Sequence, residues 1–194
     1  MNKYILIFVA VVGVFVASQL LMSYYSSGIE TPKYTVVTKY DNFEIRQYDA
    51  MIVAQTVMNQ TSYKKSSSMG FRRIAGYIFG GNKQKQEIAM TSPVFMEMGD
   101  STKMAFVMPS KYELTDLPAP NSESVSLVLV APKKYAVVRF SGFASDRRIN
   151  KHKAKLKQLL IDNKIEAIGS YNFLGYNAPW ELFGRRNEVA VEVR

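Results

Sequence analysis

Arg72 and Arg73 stand side by side in SYKKSSSMGFRRIAGYIF (62–79). Two neighbouring guanidinium groups can hold two carboxylates through charge-assisted hydrogen bonds. The surrounding apolar residues recur at helical spacing. On a wheel of about 100° per residue, Phe71, Ile74, Ala75 and Ile78 share the face that belongs on a core. Met69, Arg73, Gly76 and Tyr77 share the opposite face, with Arg72 on its flank. A mid-helix glycine costs about 1 kcal/mol relative to alanine, so Gly76 marks either the close approach of something flat or relief of packing against a loop. Tyr176 and Trp180, beside Pro179, add aromatic surface that reads either as a pocket wall or as core.

Other chemistry is constrained by what the chain lacks. With no cysteine there is no disulfide, thiolate zinc site or thiol nucleophile. The single histidine, His152, leaves no multi-histidine zinc site. It borders the apolar stripe of Ile149, Leu156, Leu159 and Leu160, and reads first as a structural histidine and second as a metal ligand. No G-x-S-x-G elbow places a serine for catalysis, and Gly80-Gly81 lacks the Lys-Ser/Thr that completes a phosphate loop. Catalytic residues are therefore not assigned. Five methionines, at 90, 96, 98, 104 and 108, read as adaptable core filler, with weak iron ligation as the alternative.

The elements that position these residues follow from period and punctuation. YTVVTKY (34–40), FEIRQY (43–48) and MIVAQTVM (51–58) alternate as half-buried strands separated by Asp and Asn. The first helix follows and ends at Gly80-Gly81-Asn82. Strands return at 87–98 and 103–108, and a Pro/Ser-rich connection over 109–124 divides the chain. Strands at 126–131 and 133–142, a basic helix at 145–164, and strands at 171–176 and 187–193 repeat the order. The expectation is an α+β domain over 34–194 with a curved antiparallel sheet, two helices packed on it and pseudo-twofold halves.

Ahead of it, residues 4–22 carry no charge, which suggests a transmembrane anchor or an uncleaved signal, and 23–33 reads as a tether. Lys3 before this segment favours a periplasmic or otherwise extracytoplasmic domain. The net charge of +9 suits an anionic partner. Arg147, Arg148, Lys151, Lys153, Lys155 and Lys157 form a stripe on the second helix that could contact anionic lipid or simply be solvated, whereas nothing resembles a nucleic-acid-binding motif.

Four strings are long and unusual: GFRRIAGYIFGGN (70–82), IAMTSPVFMEM (88–98), FVMPSKY (106–112) and YNAPWELFGRRNEVAVEV (176–193). In this order and spacing the chain, over about residues 33–194, resembles the SOUL family of haem-binding proteins. The resemblance implies a distorted antiparallel β-barrel with two helices. It also implies non-covalent binding of haem or another tetrapyrrole in a shallow apolar groove beside the first helix, with basic residues near the propionates. The expected ligand residues are Met69, Arg72, Arg73, Gly76, Tyr77, Tyr176 and Trp180, and His152 is the one histidine available to iron. The expected activity is binding, buffering or transfer of a porphyrin-type molecule, with an enzyme acting on an amphipathic small molecule in the same groove as the alternative.

Overall fold

The computed structural model describes residues 2–194, excepting the side chains of residues 20 and 22–27. Three helices, α1 (Lys3–Ser27), α2 (Tyr63–Ile78) and α3 (Asp146–Asp162), accompany nine strands. The strands are β1 (Tyr34–Lys39), β2 (Glu44–Tyr48), β3 (Met51–Met58), β4 (Val94–Met98), β5 (Thr102–Val107), β6 (Ser126–Val130), β7 (Lys133–Ser141), β8 (Ala167–Gly175) and β9 (Arg186–Val193). They form one antiparallel sheet in the order β1-β2-β7-β9-β8-β4-β5-β3-β6, curled into a half-barrel.

The halves show in the pairing. β3-α2-β4-β5 and β7-α3-β8-β9 each make a three-stranded unit whose last strand lies between the other two, and the units meet where β4 pairs with β8. The strand preceding each unit crosses over: β2 pairs with β7 and β6 pairs with β3. Each half therefore closes the outer edge of the other.

Alternation along the strands gives the sheet two faces. On the convex face, Ala136, Val138, Phe140, Met96, Met104, Phe106, Phe173 and Val189 meet Ile74 and Ile78 of α2 and Ile149, Leu156 and Leu160 of α3. On the concave face, Tyr48, Val53, Phe95, Val107, Tyr135, Val137, Leu174 and Ala190 pack against one another because the curl brings β2 opposite β4. The N-termini of the helices are joined by one carboxylate. Asp146 accepts bonds from the backbone N–H groups of Tyr63 and Lys64 and from the Ser62 hydroxyl. Ser145 in turn caps α3 through Arg148 N–H.

Two expectations are corrected here. The domain carries a helix over 3–27, but among the described residues no helix is long and apolar enough to cross a membrane. The unbroken apolar part of α1, Tyr4–Ala17, is 14 residues, about 21 Å of helix against the roughly 30 Å of a bilayer core. Ser18 and Gln19 then interrupt it, and Gln19 Oε1 accepts the Leu182 N–H at 3.1 Å. The transmembrane helix over 4–22 is accordingly set aside, and with it the single-pass, periplasmic placement that depended on it. The helix also continues through positions read as tether, leaving residues 28–33 as the link to β1.

Candidate functional site

α2 lies over β3 and β5, and α3 over β7, β8 and β9. The two helices straddle the β4–β8 seam and leave it uncovered between them. That gap is a cavity of about 520 Å³. Its floor is Val94 and Met96 of β4, Met104 and Phe106 of β5, and Phe173 and Gly175 of β8. One side is α2, through Tyr63, Ser67, Ser68, Phe71 and Arg72. The other side is the turn Tyr176–Glu181, with Ile29 and Met90–Ser92 completing the rim.

α2 presents this side because another stripe is committed to the core. Ser66, Gly70, Ile74, Ala75, Tyr77 and Ile78 are the buried positions. Gly70 lets the helix approach β3 and β5, since a Cβ there would lie 2.9 Å from both Sδ and Cε of Met58 and 3.0 Å from Sδ of Met104. Tyr63, Ser67 and Phe71, spaced by four, then face the cavity. Phe71 is 37% exposed, with its ring 5.4 Å from that of Phe106. It belongs to the cavity wall, and Gly70 is the glycine that packing demands. Gly76 has no atom within 4 Å of where its Cβ would be, and its carbonyl accepts from Gly81 N–H.

The expected ligand residues are divided by this geometry. Arg72, Tyr176 and Trp180 come together around the cavity. Arg73, one residue and about 100° further round the helix, turns to β3, where its Nη1 donates to Thr56 Oγ1 (3.3 Å) and to the Val57 carbonyl (3.1 Å). With Gly76 and Tyr77 it lines a separate hollow of about 290 Å³ against Pro120–Ser122. The Tyr77 hydroxyl donates to the Pro118 carbonyl, and burial pushes its pKa up to about 12. Met69 packs half-buried at the margin of the core. His152 lies on α3, stacked on Phe140 at 4.1 Å, with Nδ1 bonded to the Arg148 carbonyl oxygen at 2.8 Å. It is not among the residues lining the cavity.

The turn beyond β8 is built as a closed unit. Glu181, 4% exposed, accepts from Ala178 N–H on Oε1 and from Asn177 Nδ2 on Oε2, both at 2.8 Å. Arg185 Nη1 donates to the carbonyls of Ala178 and Glu181. Asn177 Oδ1 accepts Arg186 N–H at 2.6 Å, which closes the turn at its base. Trp180 is held at the rim, 59% exposed.

Tyr176 links this turn to a charged cluster within the concave face. Its hydroxyl donates to Glu188 Oε2 at 2.9 Å, and its ring lies 3.9 Å from the Arg186 guanidinium. Glu188 is fully enclosed and also accepts from Arg46 at 2.7 and 3.0 Å and from Arg186 at 2.7 and 2.9 Å. Burial alone would raise the Glu188 carboxyl, but the hydrogen bonds and charge of Arg46 and then Arg186 outweigh it and hold it below the usual range. Burial, followed by the Glu188 charge, keeps the Tyr176 phenol protonated far above its ordinary value. The soft donors at the cavity are accordingly the thioethers of Met90, Met96 and Met104. Among the described residues no three His, Cys, Asp or Glu side chains gather as a metal site.

The cavity beside α2 is thus apolar, floored by methionine and phenylalanine and edged by Arg72. The sequence model of the SOUL heme-binding protein family matches residues 29–192. The chain belongs to the SOUL family. Heme-binding protein 1 of Xenopus laevis is 26% identical over 174 residues, covering 84% of this chain and 91% of that protein. Heme-binding protein 2 of Homo sapiens is 29% identical over 157 residues, 76% of each. Among solved structures, the EcmrR C-terminal domain superposes with a TM-score of 0.60 at 11% identity, over 83% of this chain and 98% of that one. A hydrolase from Listeria innocua gives 0.58 at 8% identity, over 81% and 94%. At such identities these two superpositions show a likeness of fold alone.

Several residues at the SOUL cavity escape a sequence reading: Tyr63, Ser67, Phe71, Phe173 and Glu181. One signal was available. Ser66 and Gly70, small residues four apart, mark the close-packed stripe, and the cavity stripe is its neighbour.

Proposed function

We propose that this SOUL-family chain holds haem or a related tetrapyrrole non-covalently in the cavity beneath α2, and that it buffers or transfers the ligand without chemistry of its own. The supporting observation is the cavity itself. A volume of about 520 Å³ lies within the roughly 300–1,000 Å³ of small-molecule sites. The apolar floor suits a macrocycle, and Arg72 at the edge suits a propionate through charge-assisted hydrogen bonds. Haem brings a redox-active iron, and the residues of the chain bind its faces and exclude water.

Hemin titration of the full chain tests this, followed by Soret absorbance and quenching of Trp180, the single tryptophan. Saturable one-to-one binding is expected, and it is retained in His152→Ala because His152 is committed to Phe140 and Arg148. Absence of saturation overturns the reading.

A second surface favours a separate contact. Arg147, Lys151 and Lys155 are exposed at successive turns of α3 and suit an anionic lipid surface. Salt-sensitive sedimentation with phosphatidylserine vesicles, lost in the triple glutamine variant, is the expected result.

A further inference from the structure

Glu188 is on the opposite face of the sheet from the ligand cavity, yet one of its hydrogen bonds reaches the cavity wall. The two bonds from Arg46 tie β2 to β9, and the two from Arg186 brace the carboxylate from within β9. The fifth comes from Tyr176, the first residue after β8, where the wall turn begins. Tyr176 is gripped on several sides. Its ring stacks on Arg186, its N–H donates to the Arg186 carbonyl, and its own carbonyl accepts the Ser92 hydroxyl at 3.1 Å. The next residue, Asn177, is fixed through its side-chain oxygen by Arg186 N–H.

We infer that Glu188 is a positioning residue for the ligand cavity, acting through the Tyr176 hydroxyl to fix the base of the turn that carries Pro179 and Trp180. A carboxylate acceptor makes this bond stronger and more directional than a neutral one would. The Arg46 and Arg186 bonds hold that carboxylate in one orientation, so the phenol has a single place to dock. A preformed wall lowers the ordering cost that a ligand meets on binding. The consequence for affinity rests on the haem reading; the consequence for the wall does not.

The test compares Tyr176→Phe with Tyr48→Phe. Both remove one phenol oxygen from the same cluster, since Tyr48 accepts from Arg46 Nη1 at 3.2 Å. Tyr48 does not line the cavity. Two quantities are read where both variants are fully folded: hemin affinity, and time-resolved anisotropy of Trp180 in the ligand-free full chain. For Tyr176→Phe, affinity weakens about five- to tenfold, through loss of the charge-assisted bond to Glu188 and of the 3.3 Å bond that the hydroxyl accepts from Arg186 Nη2. The fast, sub-nanosecond component of the anisotropy grows by roughly half as the wall loosens. Tyr48→Phe leaves both unchanged while lowering Tm. If the two variants behave alike in both measurements, Glu188 and Tyr176 are structural only and the inference falls. If the wild-type chain takes up no hemin, the haem reading falls, and the anisotropy contrast still decides the role of Glu188.

Discussion

The backbone N–H of Tyr63, at the start of α2, donates to the carboxylate of Asp146, at the start of α3, at 2.7 Å across 83 residues of chain. One negative charge thus serves the positive ends of two helix dipoles, and Tyr63 is also a cavity residue. Replacing Asp146 with alanine removes bonds to Ser62, Tyr63 and Lys64 together. The expected loss is about 1–2 kcal/mol in urea unfolding, and Asp146→Asn recovers part of it. A loss below a few tenths would show that water replaces the carboxylate.

The adjacent arginines separate cleanly. Arg72 edges the cavity, whereas Arg73 is bonded to Thr56 and Val57 on β3. Arg72→Glu is expected to weaken hemin binding by roughly tenfold or more, with little change in Tm. Arg73→Glu is expected to lower Tm and leave affinity within about twofold. Equal effects of the two on affinity would contradict the placement of the ligand.

Two glycines in one helix respond in opposite directions. Gly76→Ala meets no atom within 4 Å and is expected to stabilise by about 0.5–1 kcal/mol. Gly70→Ala pushes on Met58 and Met104, both buried, and costs about 1–3 kcal/mol through overpacking. Met104 floors the cavity, so the second change also alters hemin affinity. Thermal unfolding of the pair checks the sign of each.

Acid sensitivity follows from Glu188. Its folded-state pKa lies below the ordinary carboxyl value of 4.5, so its stabilisation is complete above that value and is lost as pH falls through the folded one. Urea unfolding should therefore show a flat stability above about pH 5 and a decline below the ordinary value. Glu188→Ala should cost about 3–5 kcal/mol near neutrality, because Arg46 and Arg186 lose their buried counter-charge. It should also flatten the acid decline.

The strands and two packed helices of the domain are legible because alternation and helical periodicity are local. What is hidden depends on curvature. EIRQY and NEVAVEV read as strands with solvent-facing charges, yet Arg46 and Glu188 meet 142 residues apart inside the concave face. Only the curl of the sheet encloses them. Similarly, the wheel of α2 divides apolar from polar residues but does not say which apolar stripe meets β3. That choice belongs to Gly70 and Met58, partners from different elements. At the N-terminus, absence of charge over 4–22 overstates the apolar run, because uncharged Ser18 and Gln19 already end it.

The crossing of β2 and β6 into opposite halves also bears on how the chain reaches its native state. Neither half can complete its own sheet, since β3 awaits β6 and β7 awaits β2. A fragment ending near Met108 would carry two open edges, and β2 would have no neighbour on its inner side other than a strand not yet made. Pairings this distant raise the contact order, which accompanies slower folding. Two copies of a single half could satisfy these edges by exchanging their leading strands. The present chain makes both pairings within itself, and the β4–β8 pairing that joins its halves is the seam over which the cavity opens.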